Sequence, residues 1–517
     1  MSKINRFPAI LGLFCWAFLL GCNSEKKETN STMVFYYNEA AGISSLDPIQ
    51  ARNQENIWAV DQLFSRLFRF NSDLKIEGDL AEKWVFENQE WTISIKKGVQ
   101  WHSATPQLGT VLASDVAFSL ERLRNPKNAS AGAWVLDQVS EITVQDSLTL
   151  KIKVKEFHPA FLSLLAMSYC SVVPEKYVEI HGDKFGAFPI GSGPFQFFQW
   201  RRNSALVFHK NPNYYERDST GASLPYLDAV VVKFVRDNMA VVREIQKGEM
   251  HMLSGLDGDL IRWVNKDSNL VLLKGPYLKT DYIGVNTESP KKALQSADFR
   301  KALNFALDKK RMIAFLKNGI GIPAHSSMVP DALSPISAGR VSSYNLDSAK
   351  FYLARVDTTW YQDTEFELAT TAGYTQLCEW IQGQWQRIGI KIKVNVLPSS
   401  IHRQRVAEGQ VDLFRKSWIA DFPHPENFLM LYASGQKAPK GPNYTRFHSA
   451  EFDAEYSQLF NPIGQVDYIR MDQIVAQELP AIPLFYDQVT RCLSPKVQGL
   501  NINALNSLDL RKVKVLD

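Results

Sequence analysis

The residues most able to do chemistry lie in one stretch, Ser417-Trp418-Ile419-Ala420-Asp421-Phe422-Pro423-His424-Pro425-Glu426-Asn427-Phe428. An acid, Asp421, stands between Trp418 and Phe422-Pro423, and a base, Arg415, precedes the Trp by three residues. Prolines 423 and 425 bar a helix, so the stretch reads as a strand end running into a stiff turn. A carboxylate in such an aromatic loop is costly to desolvate without a cation. That cation is either a Lys or Arg of the chain itself or one that arrives with a ligand, such as the α-ammonium group of a peptide. His424 is the only suggestive neighbour, and it reads as a turn residue on a solvated rim.

The elements that must position this stretch come from a long chain. At 517 residues with a net charge of +4, it has room for two or three domains with large cores. No basic block points to nucleic acid, and no acidic tail is present. The first 22 residues differ from the rest. Lys3 and Arg6 precede the apolar run Ile10 to Leu20, which is too short for a comfortable membrane span but suits a signal-peptide core. The run ends in Leu19-Leu20-Gly21-Cys22, which resembles a bacterial lipobox whose Cys is lipidated. Residues 23–31 are polar and fit a flexible tether. A lipid at Cys22 would hold the mature protein on a membrane surface outside the cytoplasm, stably so with two or more acyl chains. Cys170, Cys378 and Cys492 are widely spaced, which excludes a disulfide scaffold or a spaced zinc site, and they read as buried inert thiols.

Along the chain, Met33 to Tyr37 reads as a strand and Ile57 to Phe70 as a helical stripe. Trp91 to Ile95 alternates as a strand. Ala113 to Leu123 reads as a helix with Ser114 at its N-cap. Ile142 to Val144 and Leu148 to Val154 flank a hairpin turn. Pro189-Ile190-Gly191-Ser192-Gly193-Pro194-Phe195 is a tight structural turn, since it lacks the spacing and the Lys-Ser/Thr of a phosphate loop. Val230 to Val235 is a buried strand. Phe299 to Asp308 and Leu377 to Ile388 are helices, the second followed by Gly389 and the strand Ile390 to Val396, a unit of α/β layering. Ile401 to Glu408 and 451–479 read as helical, and Ile482 to Tyr486 as a strand. No fixed-period repeat is present.

Taken in order, these pieces resemble the extracytoplasmic solute-binding proteins of ABC importers, in the large peptide/nickel (oligopeptide- and dipeptide-binding) family. The matching segments are Leu46-Asp47-Pro48, Leu80 to Trp84, Trp91 to Trp101, Ser114 to Leu123, Gly191-Ser192-Gly193-Pro194 and Asn211 to Tyr215. They continue with Tyr282 to Asn286, Arg300-Lys301-Ala302 with Ala306-Leu307-Asp308, Ile388-Gly389-Ile390 and Trp418 to Asp421. The resemblance implies an α/β clamp of two lobes across a hinge. Lobe I would be 32–70, 188–283 and 487–517, with 71–187 as an inserted α+β subdomain, and lobe II would be 284–486. The hinge crossings would fall near 283–286 and 485–488, and closure would bury a ligand between the lobes.

The resemblance also implies roles. Asp421 stands where the family's Trp-x-Ala-Asp aspartate pairs with a peptide's α-ammonium group. Arg415 stands where an arginine binds a tripeptide's carboxylate, and Trp418 where an aromatic walls a side-chain pocket, with Phe422 beside it. The chain departs from the pattern in two places. A His that accompanies that arginine is replaced by Gly373, next to Tyr374, and Ser399-Ser400 stand where an aromatic is often found. Short peptides, delivered to permease subunits by a monomeric protein without cofactor or metal, are the expected partners. The same fold with nickel chelate, haem, oligosaccharide or opine, or a ligand sensor, is the alternative. No Gly-x-Ser-x-Gly, His-Glu-x-x-His, Cys/His cluster or P-loop supports an enzyme.

Overall fold

The structure is a computed structural model that describes residues 32–102, 108–325, 327–333, 344–462, 464 and 466–516. The expected signal segment 1–22, with Cys22, and the tether 23–31 lie outside them.

The frame is an eleven-stranded sheet among the described residues. Its strands run in the order Lys391–Val396, Glu365–Thr370, Leu413–Ile419, Val271–Val285, Ala481–Leu493, Met252–Ser254, Val34–Asn38, Ala229–Lys233, Ala205–Lys210 and Phe195–Arg201, and Ile322–Pro323 adds to Ala481–Leu493. Two long antiparallel strands, Val271–Val285 and Ala481–Leu493, hold the middle and belong to both halves. On one side helices bury apolar faces around Phe299, Leu303, Ile381 and Trp385. On the other, Trp58, Leu63, Phe195 and Phe208 close a separate core. A four-stranded antiparallel sheet of Ala81–Glu87, Glu90–Ile95, Thr149–Val154 and Val139–Val144 packs on the helix Ala113–Arg124 around Ile93, Leu120 and Ile152. This is a two-lobed α/β clamp.

Local chemistry explains the boundaries. The helix Thr375–Gln386 stops because Gly389 takes φ +82°, which lets Ile390 N–H reach the Trp385 carbonyl at 3.1 Å before the chain enters Lys391–Val396. The helix expected over Ile57 to Phe70 ends earlier, at Leu63. Its last carbonyl is claimed by Gly193 N–H at 2.9 Å, and Phe68–Phe70 instead pairs with Ile76–Gly78. Ser114 is not the N-cap of its helix. Leu112 occupies that place, and its N–H donates to the Asp115 carboxylate at 2.9 Å. The stretch 451–479 is two helices, Ala450–Ser457 and Tyr468–Glu478. Cys170, Cys378 and Cys492 are free and buried, and burial pushes their thiols up to about 12, 11 and 12.

Gly191 and Gly193 are a place of close backbone approach. A Cβ at 193 would lie 2.7 Å from the Leu63 carbonyl oxygen, and the neighbouring Leu63 and Phe64 backbone leaves it no room. Gly193→Ala is expected to destabilise the protein by about 1–3 kcal/mol through overpacking, read as a lower urea midpoint at unchanged slope. An unchanged midpoint would mean that the two segments can separate freely.

The central pair is irregular at two points: one lies between Pro276 and Thr280, and the other between Asp281 and Tyr282, where Asp281 pairs with Phe485 and Tyr282 with Pro483. Pro276 pairs with Gln488 and Thr280 with Tyr486, so Tyr277 to Lys279 face Asp487 alone. A Pro inside a strand marks such a bulge. On one side of the first irregular point Arg491–Leu493 pairs with Met252–Ser254, and on the other Lys279–Val285 pairs with Leu413–Ile419. The crossings expected near 283–286 and 485–488 adjoin these two irregular points. Lys279 Nζ lies 2.7 Å and Lys317 Nζ 3.1 Å from the Asp487 carboxylate. Burial alone would raise Asp487, but these ammonium groups hold it below the usual carboxylate range.

Candidate ligand-binding site

Three parallel strands set the site. Glu365–Thr370 pairs along its length with Lys391–Val396, but touches Leu413–Ile419 only at Leu368↔Leu413 and Ala369↔Phe414. Beyond that point the strands part. Ligands in open α/β sheets bind in such a crevice outside the carboxyl ends of the strands. Here the first strand runs into Tyr374, the second into the helix Ser399–Ala407, and the third into Asp421. Residues 415–419 pair with Lys279–Ile283 on one side. On the other, no strand among the described residues pairs with them, so backbone donors and acceptors face the crevice.

Asp421 is exposed, yet the protein around it raises its carboxyl above the usual range, an effect partly offset by the Asn427 side chain. The two facts agree if the carboxylate sits in a concavity, open to water on one side and crowded on the others. Asn427 is fully buried. Its Oδ1 accepts from the Trp418 indole at 3.0 Å and from the Asp421 backbone N–H at 3.3 Å, which ties these two residues into one unit.

The opposite lobe comes close here. The Tyr169 hydroxyl is raised by burial and further by the charge of Asp421, while Arg52 acts in the other direction. Phe422 is 3% exposed and packs into the apolar cluster that holds Ile49, Ile190 and Phe161. It therefore joins the lobes and presents little surface to open space. His424 is not on a solvated rim. It is half-buried, its Nε2 lies 3.3 Å from Tyr468 Oη, and burial, then His158 of the opposite lobe, pushes it down to about 4. His158 itself packs edge-on against Phe460, with centroids 5.6 Å apart.

Arg415 is placed differently from Asp421. Side chains alternate along a strand, so Arg415 lies on the face opposite Lys416 and Trp418. Its guanidinium forms an ion pair with Asp281; their side chains are 7% and 1% exposed. The Tyr374 ring covers it, with the centroid 3.2 Å from Arg415 Cζ. Burial lowers the guanidinium to about 9, with Asp487 acting against that. Arg415 thus already has the internal counter-ion that the sequence left open.

Four functional neighbours escaped the sequence reading. Asn427 and Glu426 lie inside the opening stretch, but their burial was not visible there. Glu426 accepts from Tyr456 Oη at 2.8 Å, and burial pushes it up to about 7. Arg52 and Tyr169 come from the other lobe and carry no local motif. Among the described residues no group of three His, Cys, Asp or Glu could hold a metal ion, and no helix is long and apolar enough to cross a membrane.

The comparisons agree with this architecture. Residues 75–440 match the model of bacterial extracellular solute-binding proteins, family 5. The chain is 25% identical over 505 residues to heme-binding protein A of Haemophilus influenzae, covering 92% of this chain and 90% of that protein. It is 22% identical over 489 residues to the dipeptide-binding protein of Escherichia coli, covering 88% and 89%. The structure of HbpA2 from Haemophilus parasuis superposes with a TM-score of 0.83 at 24% identity, covering 94% of this chain and 100% of that one. The chain belongs to the family 5 extracytoplasmic solute-binding proteins of ABC importers.

Proposed function

We propose that this protein captures short peptides between its lobes and delivers them to the permease of an ABC importer. The observation that carries this reading is the free edge of residues 415–419, which runs toward Asp421, whose charge acts on Tyr169. An extended peptide can add to that edge through backbone hydrogen bonds, which read no side chains. Its α-ammonium group would meet Asp421, and Trp418 would wall the first side-chain pocket. Bridging water can fill the remaining pockets for varied sequences. The dipeptide-binding relative supports the ligand class. Arg415 enters this reading as a support for the strand that receives the ligand.

Native mass spectrometry of the purified protein tests the proposal. A spread of co-purified short peptides with free amino ends is expected. A single haem, nickel complex or sugar in their place would overturn it.

The anchor is the second part of the proposal. Lipid on Cys22 would hold the protein on a membrane face outside the cytoplasm, with residues 23–31 as its tether. Cys22→Ser is expected to move the protein from the membrane pellet to the soluble fraction. Retention in the pellet after a salt wash would remove Cys22 as the anchor.

A further inference from the structure

The charge of Arg415 is already met by Asp281, so an anionic group on the ligand needs another cation. The crevice supplies one on the Trp418 face. Lys416 stands on the same face of its strand as Trp418, and its Nζ lies 3.5 Å from the centroid of the Tyr444 ring. No carboxylate among the described residues forms an ion pair with Lys416 or with Arg403, which projects from the helix Ser399–Ala407. Next to Arg403 on that helix, His402 is 7% exposed, and its Nε2 is buried with no hydrogen-bond partner among the described residues. A buried polar atom left unpaired is costly, and in a binding crevice it points to a missing ligand group.

Resting on the peptide reading above, we propose that Lys416, Arg403 and His402 form a carboxylate subsite of the crevice. The ligand class it selects is a peptide that carries a carboxylate a few residues from its amino end. The electrostatics agree with this. Burial, and then Arg403, lower Lys416 to about 8. His402 is lowered by burial and by both cations, partly offset by its bond to the Ala369 backbone. Lys416 and His402 thus sit where one incoming anion would favour their charged forms, and no acid among the described residues pairs with Lys416 or Arg403. The scale fits too. At about 3.3 Å per residue, Lys416 stands on the order of 10 Å back from the strand end at Ile419. An extended peptide anchored by its amino end at Asp421 would bring its third or fourth residue there. The carboxylate could be an acidic side chain or the peptide's own C-terminus.

Calorimetry on the full chain, freed of co-purified ligand, distinguishes these. The probes are alanine tetrapeptides with one Glu or one Gln at position two, three or four, each with a free or an amidated C-terminus. The wild type is expected to prefer a carboxylate by at least tenfold in one register. A Glu-over-Gln preference that survives amidation assigns the side chain as its source. A loss on amidation alone assigns the C-terminus. Either preference should fall to near unity in Lys416→Met and weaken in Arg403→Gln, an exposed position whose change leaves the fold alone. Equal affinities across the wild-type panel, or a preference unchanged in both variants, would overturn the subsite and leave peptide capture standing. No binding of any probe would instead overturn peptide capture, and the ligand class with it.

Discussion

Arg415→Met is expected to lower the stability of the ligand-free protein by about 3–5 kcal/mol, the cost of stranding a buried carboxylate by removing its partner. The stranded group is Asp281, whose side chain is 1% exposed. Lys279 Nζ lies 3.5 Å from Asp281, but it is closer to Asp487, at 2.7 Å, and is shared between them. It therefore compensates only in part, and the effect should fall toward the lower end of the range. The double variant Arg415→Met with Asp281→Leu removes both charges. It should recover much of the loss, because an apolar pair of similar volume often replaces a buried ion pair at little cost. Urea unfolding of the wild type, both single variants and the double variant closes the cycle, and a coupling of several kcal/mol is expected. If Arg415→Met unfolds at the wild-type midpoint and fails only in ligand binding, the guanidinium serves the ligand and not the strand.

This placement has a consequence for how the clamp moves. Arg415, Asp281, Lys279, Asp487 and Lys317 form a continuous run of alternating charges from the crevice to the bulge between the lobes. Three cations share two carboxylates. Charges so paired are screened from water and hold the bulged residues Tyr277 to Lys279 to one geometry, while the strands on either side remain free to pivot. The irregular points of this strand pair, Pro276 to Thr280 and Asp281 to Tyr282, are where bending costs least, since fewer ladder hydrogen bonds must distort.

What the sequence disclosed follows from the range of the forces involved. The helix–Gly–strand unit around Gly389 was legible because its cause is local: a left-handed glycine and a burial period within twenty residues. The strand ending at Asp421 was legible from two prolines. The end of the helix at Leu63 was not, because the N–H that stops it belongs to Gly193, far along the chain. The N-cap was misplaced by two residues because Asp115 caps backward from inside the helix. Arg415 shows the limit most plainly. Alternation alone separates it from Trp418, and its three-residue spacing could have told that. Its partner Asp281 sits on the neighbouring strand, where only the register decides which residues meet. The break at Tyr277 to Lys279 carried a visible signal in Pro276, which a strand interior rarely tolerates. Tyr374, met in the sequence as a departure from the expected His, turns out to cover the arginine that the His would have accompanied.

Asp421→Ala is expected to weaken binding of free-amine peptides by about 2–5 kcal/mol while leaving the fold intact. That is the range for truncating one member of a charge pair that becomes desolvated on binding. The fold should tolerate the change because the Asp421 carboxylate is exposed and forms no ion pair among the described residues, while Asn427 holds the local turn through Trp418 and the Asp421 backbone N–H, which Ala retains. Burial around Asp421 raises its carboxyl, so the protein disfavours the charge that a ligand's ammonium group would stabilise. Binding of a cation should therefore lower the carboxyl and release the proton it holds, so affinity should fall as the pH drops through the range where Asp421 protonates. In Asp421→Ala that acid limb should vanish. An N-acetylated peptide, which lacks the cation, should bind wild type and variant alike, and both weakly. Titrations of free and acetylated forms of one peptide against the two proteins, at two pH values, separate charge pairing from shape. Equal affinity of the free-amine peptide for both proteins would show that the amino end is held elsewhere.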